Sequence, residues 1–310
     1  MQKKALGQVR PKKKYLIVNA DDFGLSAGIN RAIIKAHESG ILTSATLMAN
    51  MPATEQAVTL SEDNPSLGVG LHLNFLRGAP LTPPEKIRSL LNSDGRFVQR
   101  AAAFIGRILA MKIDRDELRR ELSAQVEKIL NLGVAITHFD SEKNLHFLPL
   151  VADVVIRVAQ EYGIKAIRYP EEGRLAAISG QSAGWFSSQG IKRRLLSRMA
   201  KRAYPELRQA GLCIPDYFWG VKDSGKMDER AYAAILPWIP GGVTEIMTHP
   251  GFVDQELESF SQTIGGFYIN RFRETEYHGL VAPALRTLIN NQKIKLISYR
   301  DLPGLQGEKS

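Results

Sequence analysis

Cysteine is nearly absent: Cys213 stands alone in a chain of 310 residues. One thiol cannot close an internal disulfide, which excludes an oxidised, disulfide-framed scaffold. Long apolar runs are missing too, and no stretch approaches the roughly 18 residues that a membrane-spanning helix requires. The basic start of the chain is not followed by an apolar segment and a small-residue cleavage site, so no secretory signal is expected. The expected location is the cytoplasm. Neither an internal repeat nor a heptad array occurs, which excludes solenoids and coiled coils. What is present suffices for a full core, since 44% of residues are hydrophobic and 24% charged. That composition excludes wholesale disorder.

The net charge of +9 suggests nucleic acid until it is mapped. Residues 1–14 hold six Lys/Arg and no acid, and residues 191–208 hold seven against Glu206 alone. The rest of the chain is net negative. A duplex-binding surface spreads its basicity over the folded body or a recognition helix, so no nucleic-acid partner is expected. Residues 1–14 read as a basic, disordered tail ahead of one domain spanning 15–305.

Short β-branched or apolar runs alternate with helical patterns along that domain. Strands are expected at Tyr15–Ala20, Thr43–Ala49, Leu67–Leu73, Ile136–Asp140, Lys165–Tyr169, Val243–Thr248 and Ile294–Ser298. Ser26 caps a helix that Gly40 stops, Asp114 caps one that Gly133 stops, and Pro149 opens another. Such alternation implies βα units around a parallel sheet. The expected class is α/β, as a single distorted (β/α) barrel. The segment around 171–225 breaks the rhythm and reads as an insertion over one end.

In such barrels function gathers where the strands end. The first strand runs into Asp21-Asp22, the third into His72 and Asn74, the fourth into His138, Asp140 and Glu142 with His146 beyond, and the sixth into His249. Paired carboxylates with imidazoles from other strand ends are the parts of a hydrolytic metal site: one carboxylate ligates, its neighbour acts as base, and an imidazole protonates the leaving group. Taken singly, Asp21-Asp22 also fits a cap or loop pair, His138 a satisfied core histidine, and His37 a surface residue.

These blocks resemble the YdjC-like carbohydrate deacetylases (the ChbG/HpnK type). The resemblance rests on Ile17–Ser26 through Ile41–Ser44, Val69–Asn74, Thr137–Ser141, His146 with Pro149, Ile167–Pro170, Glu245–Gly251 and Ser298–Leu302, all in family order. It implies a distorted barrel, one divalent ion (magnesium or zinc, with manganese also compatible) and removal of N-acetyl groups from amino sugars, either oligosaccharides or lipid-linked. It further implies Asp22 and His72 as metal ligands, Asp21 as the base, His249 as the acid and Arg168 as a partner that orients a carboxylate. The roles of Asp21 and Asp22 are exchangeable on this analogy.

One departure stands out. Where the family places the histidine that is its third ligand, this chain has Glu142, and the next histidine is replaced by Asn144. Glu142 is a competent oxygen ligand, so the expected set is Asp22, His72 and Glu142. Alternatives are a swing of His138 or His146 into that place, another metal-assisted hydrolysis on the same barrel, or a sugar- or lipid-binding barrel without catalysis. Residues 191–204 form a basic amphipathic pattern, with Ile191, Leu195, Leu196, Met199, Ala200 and Ala203 on one face. That pattern suits either packing on the barrel or peripheral contact with an anionic membrane. A homo-oligomer is compatible with the sequence.

Overall fold

The computed structural model describes residues 12–179, 188–255, 257–258 and 271–307. Among these residues, seven strands, all parallel, form one sheet: β1 (Lys14–Phe23), β2 (Ser44–Leu47), β3 (Gly68–Leu73), β4 (Phe139–Ser141), β5 (Tyr217–Trp219), β6 (Gly242–Thr248) and β7 (Ile294–Leu296). Their order is β4-β3-β2-β1-β6-β5, with β7 also on β1. β1 therefore has three partners. It pairs with β6 over Lys14–Ala20, with β2 from Asn19 onward and with β7 over Lys14–Leu16. Beyond β4 the pairing continues through single-residue parallel bridges, Phe139 to Ile167 and Ala166 to Cys213. The sheet thus curls round by an irregular route, giving the distorted (β/α) barrel class.

Helices α1 (Ala27–Ser39), α2 (Thr54–Glu62), α3 (Ala101–Leu109), α4 (Arg115–Asn131), α5 (Pro149–Glu161), α6 (Gly173–Ile178), α7 (Ser188–Gln209), α8 (Glu229–Ile235), α9 (Phe272–Val281), α10 (Pro283–Asn291) and α11 (Leu302–Gly307) accompany the strands. Their ends follow the local chemistry. The Ser26 side chain accepts from the Ile29 N–H, and Asp114 accepts from the Asp116 and Glu117 N–H groups. Gly133 and Gly163 take positive φ just past α4 and α5. Alternate faces of the strands and the inner faces of the helices share one continuous core that includes Leu16, Val18, Ile29, Ile33, Leu71, Leu122, Val126 and Val155.

Two expectations need correction. Lys165–Tyr169 is not a strand but a bridged passage, and the span 171–225 is not wholly an excursion because β5 lies in it. Tyr217-Phe218-Trp219 is a run of three, too short to show periodicity, though its aromatics suit a strand. Of the basic stretch 1–14, residues 1–11 lie outside the described residues and Lys14 opens β1. On α7, Leu196, Ala200, Ala203 and Leu207 are buried against the body while Ile191 and Leu195 are exposed. The apolar face proposed from sequence is therefore split between two environments. Among the described residues, no helix is long and apolar enough to cross a membrane.

Candidate active site

Strand β1 shifts register against β2 between Ala20 and Phe23, and Asp22 adopts a φ of 67°. A bulge of this kind re-aims side chains, and aspartate tolerates the left-handed region better than most residues. Both carboxylates are turned into the barrel mouth, where Asp21 and Asp22 are 4% and 3% exposed.

Asp21 meets Arg168, which follows the bridged passage at Ile167. The guanidinium donates from Nη1 to Asp21 Oδ2 at 2.8 Å and from Nη2 to Oδ1 at 2.6 Å. Its Nη1 also lies 2.8 Å from Asp140 Oδ2, and its Nε donates to Glu245 Oε1 at 2.8 Å. Arg168 itself is fully buried. Burial opposes ionisation of Asp21, but Arg168, with His72 and His249 nearby, holds its carboxyl well below the usual carboxylate range. Glu245 behaves in the opposite sense: burial outweighs Arg168 and pushes it up to about 7. Its Oε2 accepts from the Tyr299 hydroxyl, and the Tyr299 ring stacks on His138 with centroids 3.6 Å apart.

His72, in β3, is clamped at Nδ1. That nitrogen lies 2.7 Å from Asp140 Oδ1 and 3.2 Å from the Thr46 hydroxyl, which donates to Asp140 Oδ2. An Nδ1–H donated to Asp140 leaves Nε2 as the outward nitrogen. Nε2 lies 3.8 Å from Asp22 Oδ1. Burial opposes a charge on this imidazole, yet Asp140, then Asp21 and Asp22, pushes it up to about 9. Asp22 in turn accepts from Arg273, and that cation with His72 and His249 outweighs burial and lowers its pKa.

His249 follows β6. Its Nε2 is 3.7 Å from Asp21 Oδ2 and its Nδ1 is 3.8 Å from Glu276 Oε2. Glu276 also accepts from the His249 N–H and the Thr248 hydroxyl, which fixes the turn that carries the imidazole. Glu142 is buried, and its Oε1 accepts from Arg77 Nε at 2.6 Å. His146 bonds the Ser141 hydroxyl through Nδ1 at 2.8 Å, and His138 bonds Thr137. Burial followed by Arg168 holds His146 down to about 3 and His138 well below its ordinary value. Both are neutral core histidines.

The structure thus gathers Asp21, Asp22, His72, Arg168 and His249, and gives Glu142 to Arg77. Sequence reasoning named Asp140 at a strand end without giving it a role, and did not single out Arg77, Arg273, Glu245 or Glu276 as site groups. Asp140 had a signal, a carboxylate at a strand end two residues after His138. The two arginines had none, because their partners lie 65 and 251 residues away.

Among the described residues, Asp21, His72 and Asp140 could hold a metal ion, each offering a ligand atom within 4.8 Å of the others. Two carboxylates and an imidazole suit a divalent cation of hard or borderline character. Oxygens of Asp21 and Asp140 already face the Arg168 guanidinium and His72 Nδ1 is committed to Asp140, so the nitrogen left toward a cation is Nε2, beside Asp22. A carboxylate behind a ligating imidazole is the usual supporting arrangement of such centres.

A family profile described as YdjC-like protein matches residues 15–291. The chain is 32% identical to a carbohydrate deacetylase of Brevibacillus brevis over 93% of its own length and 99% of the relative's. It is 33% identical to a carbohydrate deacetylase of Geobacillus stearothermophilus over 93% and 98%. A crystal structure of an Enterococcus faecalis protein named for cellobiose-phosphate cleavage superposes with a TM-score of 0.74 at 25% identity, covering 94% of this chain and 99% of that one. With its fold and nearly its whole length matched, the chain belongs to the YdjC-like family.

Proposed function

We propose that the protein is a carbohydrate deacetylase, a metal-dependent hydrolase that removes the N-acetyl group from an N-acetylated amino sugar. The observation that carries this reading is the pair Asp21 and His249, 3.7 Å apart, beside the Asp22–His72 pair in one buried cluster. The names of the two similar deacetylases support it. In this reading Asp22 and His72 Nε2 hold the ion, with Glu142 as third ligand and Asp140 orienting the imidazole. A bound divalent ion would lower the pKa of a water and polarise the amide carbonyl.

The chain's own residues do the rest. Asp21 takes the proton of the attacking water as the new C–O bond forms. Arg168 holds that carboxylate ionised and in one orientation, at the cost of making it a weak base. A weak base suits only a water whose acidity has been raised. His249 gives a proton to the nitrogen as the C–N bond breaks, releasing acetate and a free amine. Its backbone is fixed by Glu276, and its largely buried imidazole lies between Asp21 and Glu276.

Metal analysis coupled to acetate release from a panel of N-acetylated oligosaccharides tests the proposal. One ion per chain is expected, with activity lost to a chelator and restored by magnesium, manganese or zinc. Full metal content with phosphate or ester hydrolysis but no acetate would mean another hydrolase. Absence of bound metal would leave a sugar- or lipid-binding barrel.

A lipid-linked amino sugar and peripheral membrane contact form part of the same proposal. Ile191 and Leu195 are 53% and 55% exposed on α7 beside basic residues, an arrangement suited to an anionic interface. Sedimentation with anionic liposomes should weaken with salt and on changing Arg194 and Arg198 to Glu. Salt-insensitive or absent binding would leave a soluble oligosaccharide as the substrate.

A further inference from the structure

We propose that α3 is a membrane anchor, which sets the outer face of one helix among the lipids of an anionic bilayer. A helix on a protein surface ordinarily turns polar side chains to water. Residues 101–111 hold a single polar side chain, Arg107. Its guanidinium folds back and donates from Nη1 to the carbonyls of Ser89 and Leu91 at 2.9 and 2.8 Å. Within α3 only Phe104 is buried, while Ile105 and Ile108 are half-buried against the core. The face left to solvent is Ala102, Ala103, Gly106, Leu109 and Ala110, followed by Met111. Leu109 and Met111, at 79% and 90%, are the most exposed large hydrophobic side chains among the described residues. Met111 ends the helix with a φ of 53°, at a place where glycine is usual. The turn thus presents a long apolar side chain to solvent where its geometry asks for none.

Charge and place identify the occupant. Between Asp94 and Asp114 the chain carries Arg96, Arg100, Arg107 and Lys112 and no acid. Basic side chains framing an apolar helix face suit an anionic headgroup layer over an acyl interior. They argue against a second copy of the chain, because a two-fold contact would set the cations of one protomer against those of its partner. The helix also stands at the catalytic end of the barrel. The Phe104 ring lies 4.8 Å from that of Phe75, two residues past the end of β3, the strand that carries His72. Arg77, in the same passage, bonds Glu142. Docking through α3 therefore brings the barrel mouth toward the bilayer.

The inference rests on the membrane contact proposed above in needing a bilayer, but assigns that contact to a different element; the deacetylase reading does not enter its test. Flotation with phosphatidylglycerol and with phosphatidylcholine vesicles separates the two elements. Both positions are exposed, so Leu109→Ser with Met111→Ser does not unfold the chain, which thermal melting checks. The double change should lower partitioning onto phosphatidylglycerol vesicles by about tenfold or more. Emission of a Leu109→Trp variant should be quenched by lipid brominated in its acyl chains, beyond the quenching of the unmodified protein. Loss of binding in the α3 variant, but not on changing Arg194 and Arg198 to Glu, upholds α3 and removes α7 from the contact; loss in both upholds both. Loss in the α7 variant alone overturns the role of α3, as does bound protein without added quenching at position 109. Binding to neither vesicle overturns both elements. A dimer that the double change splits, with vesicle binding unmoved, makes a second copy the occupant and overturns the proposal.

Discussion

At the scale of single residues, Asp21 and Glu142 carry the sharpest expectations. Asp21→Asn keeps the size and one oxygen of the side chain but removes the charge that faces Arg168. Turnover should fall by about two to four orders of magnitude with metal content retained, measured as acetate release beside metal analysis. Glu142 has two separable roles, as proposed ligand and as partner of buried Arg77. Removing one member of a buried ion pair typically costs about 3–5 kcal/mol, so Glu142→Ala should lower the melting temperature strongly whatever its effect on the ion. If metal content also falls, Glu142 is a ligand. Full occupancy in a destabilised variant would confine it to the Arg77 pair. The residues legible in the sequence were those that directly follow an apolar strand run, namely Asp21, Asp22, His72 and His249. The residues that hold them in place were not, because a charge pair closed across 251 residues, as between Arg273 and Asp22, leaves no local pattern.

At the scale of elements, β3 shows how tightly the strand ends are set. A Cβ on Gly70 would sit 2.4 Å from the His138 ring and 2.7 Å from its carbonyl oxygen. Neither can retreat, since the ring is stacked on Tyr299 and the carbonyl accepts from the Leu71 N–H. Gly70→Ala should cost roughly 1–3 kcal/mol or more in a denaturant titration, despite being the smallest possible addition. On α4, by contrast, Asp114→Ala loses a cap and should cost about 1 kcal/mol. That cap, like Ser26 and the glycine stops, could be read in the sequence because capping is decided within four residues. The route from β4 to β5 could not. It consists of single bridges and a three-residue strand, and its course is set by partners far along the chain rather than by periodicity.

For the molecule as a whole, buried ionisable groups dictate a pH response. His146, held down to about 3, and His138, also lowered, stay neutral in the folded state. In the unfolded chain they gain protons as pH falls through about 6.5. The folded state therefore binds fewer protons, and the stability these histidines contribute above that pH is lost on acidification. Asp21 and Asp22 act in the same direction below their ordinary value of 3.8. Glu172 and Glu245, raised by burial to about 7, act oppositely: stability falls as pH rises from 4.5 to 7. The two sets offset each other between about 4.5 and 6.5, and below 4.5 only the acid-sensitive set remains. Melting temperatures of the metal-free protein should be nearly level across the first window and drop steeply below it. A level profile continuing down to pH 3.5 would contradict this assignment of buried charge.

The three partners of β1 also govern when the molecule can come together. The central strand leaves the ribosome ahead of all its partners, and one neighbour, β6, begins only at Gly242 and another, β7, at Ile294. Until those segments emerge, β1 is covered only by β2 from Asn19 onward, its pairing with β6 and β7 is unmade, and the mouth of the barrel lacks His249. Translation and folding are therefore coupled through a long wait, of the kind that slows folding when pairings are distant in sequence. Nascent chains stalled before residue 242 should remain protease-sensitive across residues 14–18, whose register partners all lie in β6 and β7, and protection of that half of the strand should arrive late.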